Sequence, residues 1–370
     1  MARVTRAEAF LVDLPPKVER RDAIQSFKSQ ETIFVTLQGS DGADGTGYSY
    51  TIGDGGPAIL SLLQRTLLPA LMGREAEAIE ANWRALLFHS HATSVGPIMS
   101  LALAAIDIAL WDMRAKKAGL PLHLLAGGAK AAVPMYTTEG GWLHLAPQAL
   151  VDDALQAQAQ GFAGSKVKIG KPHLAEDAAR LEAVRAALGP AYEVMTDANQ
   201  SLTAAEALRR VPMLEALQIG WFEEPLPADD ITGHARLQAQ CRVPVAVGES
   251  LYSPGQFADY IAAGACGIVQ ADVARIGGIT PWLKVAHLAE AHNMAICPHF
   301  LMELHVSLVC AVPNAPWLEF IPQLDEIAAP MARDGGMALA PTTPGIGIDW
   351  DWPTLTARTM PGSRFTVTEA

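Results

Sequence analysis

The fold is decided by four short segments of this chain, SKVKI (165–169), TDAN (196–199), WFEEP (221–225) and GES (248–250). In each of them a short apolar run leads to a side chain suited to acid–base or metal chemistry. The pattern continues through QAD (270–272), CPHF (297–300) and WLEF (317–320). From Lys168 to Glu319 the separations between these side chains are 29, 26, 26, 23, 27 and 20 residues, the length of one strand, one helix and two short loops. Because a parallel barrel gathers its strand ends at one rim, the pattern predicts a single cavity lined by these groups.

Residues 131–345 are predicted to form this barrel. Eight candidate strands can be counted there, with seven helix-length segments between them. A Pro/Gly-rich stretch at 341–347 follows the last strand in place of a helix. The predicted fold class is therefore α/β, a modified (β/α)7β TIM-like barrel whose final unit is incomplete.

The first 130 residues lack this period and predict a small α+β domain at 1–130. A turn cluster at 39–45 joins two strand-like stretches into a hairpin. The predicted strands are 9–13, 32–38 and 46–52, and the predicted helices are 57–71, 76–87 and 100–118. The tail, 346–370, has no barrel rhythm and is expected to return to this first domain.

Composition and charge argue against several classes of partner. The 370 residues include 27 Lys and Arg against 39 Asp and Glu, a net charge of −12 without a basic stripe. We therefore expect neither nucleic acid nor anionic lipid as a partner. No run approaches ~20 apolar residues and the N-terminus has no signal-peptide pattern, so we expect no membrane span and a cytoplasmic protein. Four cysteines without a CxxC pair are interpreted as reduced core thiols.

Three carboxylates, Asp197, Glu223 and Glu249, end successive predicted strands. A single carboxylate at such a position more often caps a helix or faces water. Three in register repel one another unless a cation lies between them, and an all-oxygen ligand set favours a hard divalent ion. The set predicts a Mg²⁺ site, with Mn²⁺ as the alternative ion. Strand alternation should point Glu224 to the opposite face, where we assign it a structural role.

Lys166 and Lys168 should share one face of their strand, because strand side chains alternate. Buried ammonium groups are costly unless an anion meets them, although lysines that extend to the rim would explain the pair without a function. The functional interpretation gives Lys166 a substrate carboxylate to bind. Lys168 is then the candidate base, with a pKa lowered by its lysine neighbour and by the metal.

Asp272 and His299 end consecutive predicted strands. An Asp beside a His holds the imidazole in one tautomer and stabilises its cationic form, so the pair is a candidate acid–base dyad. Glu319 ends the eighth strand and, if it stays protonated, is expected to hydrogen-bond a developing oxyanion. Asn199 shares the face of Asp197 and is a candidate contact for a substrate hydroxyl.

The two candidate bases, Lys168 and His299, are expected on opposite sides of the cavity with the metal ligands between them. A carboxylate substrate in this cavity would have its α-carbon flanked by both bases, which favours removal of a proton α to a carboxylate. The resulting enediolate would need stabilisation by Mg²⁺, Lys166 and Glu319.

The ordered motifs KVK, TDAN, WFEEP, GES, QAD, CPHF and WLEF resemble those of the enolase superfamily, specifically its mandelate racemase subgroup. The resemblance covers nearly the whole chain and implies that residues 1–130 are a capping domain. It implies Mg²⁺ binding by the three carboxylates, opposed acid–base catalysis by Lys168 and the His299–Asp272 dyad, and an electrophilic Glu319. A homo-oligomer is also expected.

Within this subgroup, four segments look most similar to the acid-sugar dehydratases that act on galactarate and L-talarate: GYSYTIG (47–53), IDIALWDMRAKKAGLPL (106–122), ARIGGITPWLK (274–284) and PHFLMELH (298–305). These enzymes abstract the α-proton and then lose the 3-hydroxyl to give a 2-keto-3-deoxy acid. Specificity in the superfamily is set largely by the capping domain. Here that implicates the loop 17–30 and the segment 48–51, with Arg20, Arg21, Lys28 and Tyr48 as candidate contacts.

The leading interpretation is therefore a Mg²⁺-dependent dehydratase of an acid sugar, a hexaric or aldonic acid. Two opposed bases also suit a racemase or epimerase of a 2-hydroxy acid, and a cycloisomerase or lactonising enzyme is a third reading. A barrel that binds sugar acids without turnover is a fourth, against which the complete set of bases argues.

Overall fold

The computed structural model describes residues 2–369, and its N-terminal part is an antiparallel sheet covered by helices. This sheet contains β1 (Val4–Asp13), β4 (Glu31–Gly39) and β5 (Asp44–Tyr50), whereas β2 (Arg20–Arg21) and β3 (Ser26–Phe27) form a separate two-stranded sheet. The helices are α1 (Gly56–Leu62), a π-helical turn (Leu63–Leu67), α2 (Leu68–Leu71), α3 (Ile79–His89), α4 (Pro97–Ala118) and α5 (Leu122–Leu125). The predicted hairpin is confirmed as β4–β5, and the helix predicted at 57–71 is interrupted by the π-helical turn.

The long helix α4 lies against the hairpin at a distance that only glycine permits. A Cβ atom built on Gly47 in β5 would come within 2.2 Å of the Ala105 carbonyl oxygen and 2.5 Å of the Ala109 amide nitrogen. Gly45 makes a similarly close approach to the same helix. The glycines of this strand therefore serve packing against α4, in addition to the turn that the sequence predicts.

The barrel consists of parallel strands joined by helices, as predicted. The strands are β6 (Ala132–Thr137), β7 (Gly164–Lys168), β8 (Glu193–Asp197), β9 (Phe222–Glu223), β10 (Val245–Val247), β11 (Ile268–Val269), β12 (Ala295–Ile296) and β13 (Leu318–Phe320). The helices are α6 (Pro147–Ala159), α7 (Leu174–Leu188), α8 (Ala204–Ala216), α9 (Ile231–Gln238), α10 (Pro254–Ala262), α11 (Ile279–Ala291) and α12 (Met302–Ala311). The parallel order runs from β13 through β6 to β12. The predicted fold, a capped (β/α)7β barrel, is confirmed.

A short hairpin occupies the place where an eighth helix would follow β13. Its strands are β14 (Arg333–Asp334) and β15 (Met337–Leu339), and β15 pairs antiparallel with the first half of β6. The chain then forms α13 (Trp352–Arg358) and β16 (Phe365–Thr368). Strand β16 pairs with β1, so the C-terminal segment adds a strand to the N-terminal sheet. The domain limits 1–130, 131–345 and 346–370 themselves stay predictions.

Buried polar contacts hold the cap against the barrel helix α11. Asp107 in α4 accepts hydrogen bonds from the Thr280 hydroxyl at 2.6 Å and from the Thr280 amide at 2.9 Å. The Trp111 indole donates to the same hydroxyl, and the Trp83 indole donates to the Gly277 carbonyl at 2.8 Å. The two bonds to Asp107 are buried and those of the tryptophans are partly buried, so together they fix the cap over the barrel.

Two further sequence-based expectations bear on the described residues. No helix among residues 2–369 is long and apolar enough to span a membrane. The four cysteines are buried and free, in agreement with their interpretation as core thiols.

We expect Gly47→Ala to destabilise the protein, because the new methyl group would overlap the backbone of α4. Overpacking of this kind costs about 1–3 kcal/mol of the free energy of unfolding. Chemical denaturation measures the loss. Gly96→Ala is the matched control, since its backbone is extended and a Cβ there meets open space. Equal stability of the two variants would contradict the close packing of α4 on β5.

Candidate active site

The predicted chemical groups converge at the carboxyl ends of the barrel strands. β7, β8, β9 and β13 carry some of them, and the short segments after β10, β11 and β12 carry the rest. All of them are buried: Lys166, Lys168, Asp197, Glu223, Glu249, Asp272, His299 and Glu319. An apolar cluster inside the barrel lies beneath this rim and includes Tyr136, Met195 and Trp221. The site therefore has a dry, packed floor.

The carboxylates of Asp197, Glu223 and Glu249 each offer one oxygen, and these oxygens lie within 4.8 Å of one another. Burial, followed by the Asp197 carboxylate, raises the pKa of Glu223 to about 7. Such a rise is what an anionic cluster produces when positive charge is insufficient. The Glu249 Oε2 atom is also buried and accepts no hydrogen bond within residues 2–369, although the His299 Nε2 atom lies 3.3 Å from it. The donor set and this orphaned oxygen fit a hard divalent cation such as Mg²⁺.

Glu223 is oriented by two neutral donors on either side of it. The Trp221 indole and the Gln270 amide donate to the same Glu223 oxygen at 2.9 and 2.8 Å. The other Glu223 oxygen lies 2.8 Å from the Lys166 ammonium. Neither Trp221 nor Gln270 was singled out from the sequence, although both belong to quoted motifs.

The two lysines lie on the same face of β7 and each meets carboxylates. Lys166 lies between Glu223 at 2.8 Å and Glu319 at 2.9 Å, and 3.8 Å from Asp197. Lys168 hydrogen-bonds Asp197. Because both ammonium groups are buried, extension to the rim does not explain them. The cost of burying these charges is offset by direct pairing.

The charges around Lys168 and Glu319 give both groups pKa values that differ from those expected from the sequence. Burial lowers the pKa of Lys168 and is the largest single effect, but the Asp197, Glu249 and Glu223 carboxylates together outweigh it and the pKa is raised. Lys166 lowers the pKa as predicted, but by less than the carboxylates raise it, and the predicted lowering by a bound metal stays a prediction. Burial raises the pKa of Glu319, but Lys166 and His299 lower it to well below its usual value. Glu319 is thus an ionised carboxylate and not the protonated acid that we expected.

His299 and Asp272 form the predicted pair. The His299 Nδ1 atom lies 2.9 Å from Asp272 Oδ2, and Asp272 Oδ1 accepts the amides of Ala274 and Arg275 at 2.7 and 3.1 Å. Despite burial, the bond to His299 lowers the pKa of Asp272 to about 2. Burial lowers the pKa of His299, but the Glu249 and Asp272 carboxylates raise it overall. Asp272 therefore stays ionised and favours the imidazolium.

Left-handed backbone turns follow several of these strand ends. Asn199 has φ 43° after Asp197, and Phe300 has φ 58° directly after His299. Glu224 has φ 37° directly after Glu223, so strand alternation does not extend to it. Its buried carboxyl has a raised pKa, first from burial and then from Glu249. A non-glycine residue in the left-handed region of backbone conformation costs free energy, and such residues cluster at functional sites.

The predicted substrate contacts differ in their burial and in their distance from the site. Asn199 is buried beside Asp197, and its side-chain oxygen has no hydrogen-bond partner among the described residues. Lys28 is exposed on the cap loop. Tyr48 is fully buried between the Phe34 and Trp350 rings, within the hydrophobic core, so the structure contradicts its prediction as a substrate contact.

The two arginines of the cap loop also differ in position. Arg21 is exposed, whereas Arg20 is buried and pairs with Glu139 at the end of the first barrel strand. Arg20 also donates to the Pro322 carbonyl at 3.0 Å. Arg20 therefore ties the loop 17–30 to the barrel, and this contact was not predicted.

Sequence reasoning also missed Tyr50, which stands two residues after Tyr48 on β5. Its hydroxyl donates to Asp272 Oδ2 at 2.6 Å. Tyr50 belongs to the segment 48–51, whose part in substrate specificity stays a prediction, and because both tyrosines share one face of the strand, periodicity alone could not separate them. Thr138, which hydrogen-bonds Glu319, was also missed, because it lies outside the quoted motifs.

Comparison with known proteins places this geometry in context. The model of the mandelate racemase/muconate lactonizing enzyme N-terminal domain matches residues 6–127, and that of the enolase C-terminal domain-like family matches residues 149–354. The L-talarate/galactarate dehydratase of Salmonella typhimurium is 38% identical over 82% of this chain and 77% of its own. The 3,6-anhydro-alpha-L-galactonate cycloisomerase of Streptomyces coelicolor is 35% identical over 95% of this chain and 98% of its own.

A solved structure extends the similarity to the whole chain. The L-talarate dehydratase of Polaromonas sp. JS666, in complex with Mg and L-glucarate, superposes with a TM-score of 0.94 and is 34% identical. The match covers 100% of both chains. Both the cap and the barrel therefore have counterparts in that protein.

We expect Glu223→Gln to weaken Mg²⁺ binding by at least about 100-fold, more than the roughly 10- to 100-fold typical of groups outside the ligand shell. The reason is the loss of one anionic ligand from the triad. Titration calorimetry with Mg²⁺ measures the affinity. Glu303→Gln is the control, because Glu303 is another buried carboxyl and lies outside the triad. Unchanged affinity in Glu223→Gln would refute its role as a ligand.

Proposed function

This chain belongs to the mandelate racemase/muconate lactonizing enzyme family of the enolase superfamily, and on that premise we propose that it is a Mg²⁺-dependent acid-sugar dehydratase. The observation that carries the proposal is the arrangement of two candidate bases around a carboxylate triad. Lys168 lies on β7 and His299 follows β12, with the triad on the strands between them. A substrate held at the triad would present its α-carbon to both.

The proposed metal ligands are Asp197, Glu223 and Glu249. When bound there, Mg²⁺ would polarise a substrate carboxylate and increase the acidity of its α-proton. Lys166 would give the same carboxylate a charged hydrogen-bond donor, which matters most as negative charge develops on its oxygens. Because Glu319 is ionised, its proposed part is to hold Lys166 in place at 2.9 Å. The oxyanion is then stabilised by the lysine.

The first chemical step is removal of the α-proton by Lys168 or His299, depending on the configuration of the α-carbon. The base must be neutral to accept the proton. The carboxylates of Asp197, Glu249 and Glu223 raise the pKa of Lys168, and a divalent cation that engaged them would leave burial and the Lys166 ammonium to lower it. His299 is held by Asp272 with its Nε2 atom facing the triad, 3.3 Å from a Glu249 oxygen.

Dehydration then follows with His299 as the acid, in either case, because His299 is an imidazolium whether it was protonated from the start or has just accepted the α-proton. The enediolate electrons form the double bond between the α- and β-carbons as the 3-hydroxyl leaves, and the His299 imidazolium supplies the proton that makes it water. The enol tautomerises to the 2-keto-3-deoxy acid. Atoms balance as acid sugar to keto acid plus water, with no oxidant or reductant.

The substrate class is supported by similarity to dehydratases of galactarate and L-talarate. These two acids differ in configuration at one α-carbon, so an enzyme with a base on each face can accept both. Asn199, with its unpaired buried oxygen, is proposed to bind a substrate hydroxyl. Lys28, on the exposed cap loop, is proposed as a contact for the distal end. A cytoplasmic location and a homo-oligomer stay predictions.

A cycloisomerase is the second candidate, favoured by the similarity over 95% of this chain to the Streptomyces coelicolor enzyme. A cycloisomerase would use the same abstraction of the α-proton but would form or open a ring. Racemisation is the outcome if the enediolate is reprotonated from the other face before the hydroxyl leaves.

A substrate screen distinguishes these functions. Galactarate, L-talarate and other aldaric and aldonic acids, together with an anhydro-aldonate, are incubated with protein and Mg²⁺. We expect a 2-keto product, detected as its semicarbazone, with at least one aldaric acid. Deuterium uptake in D₂O with inversion and no keto product would instead support racemisation. A barrel that only binds sugar acids predicts neither signal with any compound.

We expect Lys168→Ala and His299→Asn each to reduce turnover at least about 1,000-fold, because each removes a proton-transfer group. Mg²⁺ binding should persist, since neither residue belongs to the triad. Keto-acid formation and calorimetry provide the two measurements. Lys284→Ala and His292→Asn are surface controls that should retain activity. Full activity of either site variant would refute the two-base mechanism.

A further inference from the structure

One side chain of the capping domain, Tyr50, contacts the acid–base dyad formed by Asp272 and His299 of the barrel. Tyr50 is the last residue of β5, and its ring packs against Phe300 with centroids 4.6 Å apart. Its hydroxyl donates to Asp272 Oδ2 at 2.6 Å. Tyr50 and Asp272 are both buried, so water does not compete for this bond. A hydrogen bond to a buried carboxylate is among the stronger ones in proteins.

The bond from Tyr50 completes the set of donors around Asp272. Oδ2 receives Tyr50 and the Nδ1–H group of His299, while Oδ1 receives the backbone amides of Ala274 and Arg275. With donors on both oxygens, the Asp272 carboxylate cannot rotate without losing a bond. The direction of the His299 ring depends on that carboxylate, and therefore on Tyr50.

Arg275 connects the same tyrosine to the metal ligand Glu249. Its Nε atom donates to the Tyr50 hydroxyl at 3.2 Å, and its Nη1 atom donates to the Glu249 carbonyl oxygen at 3.0 Å. Nη1 also lies 3.5 Å from Glu249 Oε1. Because the guanidinium is planar and rigid, these bonds hold Tyr50 and Glu249 at a fixed separation from each other.

These contacts form a closed circuit of five side chains. It runs from Glu249 through Arg275, Tyr50 and Asp272 to His299, whose Nε2 atom returns to Glu249 at 3.3 Å. Tyr50 is the member that comes from the cap. The ion pair of Lys168, by contrast, is with Asp197 of the barrel strand β8.

We propose that Tyr50 is a positioning residue for His299, acting through Asp272, and that docking of the cap thereby completes one of the two proton-transfer groups. The inference rests on the proposed function and makes it more specific. Loss of the Tyr50 hydroxyl impairs proton transfer by His299 and spares proton transfer by Lys168. A purely structural role for Tyr50 would impair both, because unfolding or displacement of the cap exposes the whole cavity.

Tyr50→Phe tests this selectivity, because it removes the hydroxyl and keeps the ring that packs on Phe300. Galactarate and L-talarate, which are epimers at one α-carbon, are each incubated with protein and Mg²⁺ in D₂O. The α-deuterium uptake is followed by proton NMR. The His299→Asn variant identifies the epimer whose exchange requires His299, since it retains Lys168.

We expect Tyr50→Phe to slow the His299-dependent exchange about 10- to 100-fold, the range for a hydrogen bond to a charged group. The Lys168-dependent exchange should stay within about threefold of wild type. Tyr192→Phe is the matched control. It also removes a buried tyrosine hydroxyl, hydrogen-bonded to Ser165 at 3.0 Å, but near the start of β8 and away from Asp197. Both exchange rates should be unchanged in it.

The possible results separate this inference from the function on which it rests. Exchange by the wild type, with both rates of Tyr50→Phe unchanged or lowered equally, overturns the role of Tyr50 alone. Absence of exchange and of keto product with both acids in the wild type overturns the proposed substrate class and this inference with it. Thermal unfolding of Tyr50→Phe near the wild-type temperature shows that a selective loss does not arise from an unfolded cap.

Discussion

The site depends on the mutual neutralisation of buried charges at one end of the barrel. Lys166 and Lys168 could not be buried without Asp197, Glu223 and Glu319, and those carboxylates could not be ionised there without the lysines. At Glu223 the Lys166 ammonium does not offset burial and the neighbouring carboxylates, so the pKa of that group stays raised. The remaining negative charge is what fits the triad to a divalent cation.

The charged groups pair only if they are held in fixed positions, and rigid elements of the barrel hold them there. The charged groups project from parallel strands over an apolar floor that includes Tyr136 and Trp221. Left-handed turns at Asn199 and Phe300 redirect the chain immediately after the site residues. Strands of two or three residues suffice for β9 to β11, because each of them pairs with a neighbouring strand on both sides.

The cap contributes more than a cover over the barrel. Asp107 and Trp111 fix it to α11 through Thr280, while Arg20 fixes its loop to the barrel rim through Glu139. Tyr50 then meets Asp272 inside the site. Different elements of the cap therefore make these contacts: α4 and the loop 17–30 dock on the barrel, and β5 brings Tyr50 to Asp272.

The sequence by itself determined the architecture and the rim of the site. A repeat of 20 to 29 residues fixes parallel strands joined by helices, and the carboxyl ends of such strands meet, so Asp197, Glu223 and Glu249 could be grouped without coordinates. Strand alternation likewise placed Lys166 and Lys168 together. The charge states of Lys168 and Glu319 could not be read in this way, because they are set by neighbours on other strands.

The choice of Tyr50 over Tyr48 is a second decision that only the tertiary structure makes. The two residues have the same periodicity and type, but Tyr48 enters the core against Trp350 whereas Tyr50 reaches a carboxylate 222 residues later in the chain. Local patterns specify which face a side chain takes. Which distant group that face meets, and with what charge, is fixed by how the cap docks on the barrel.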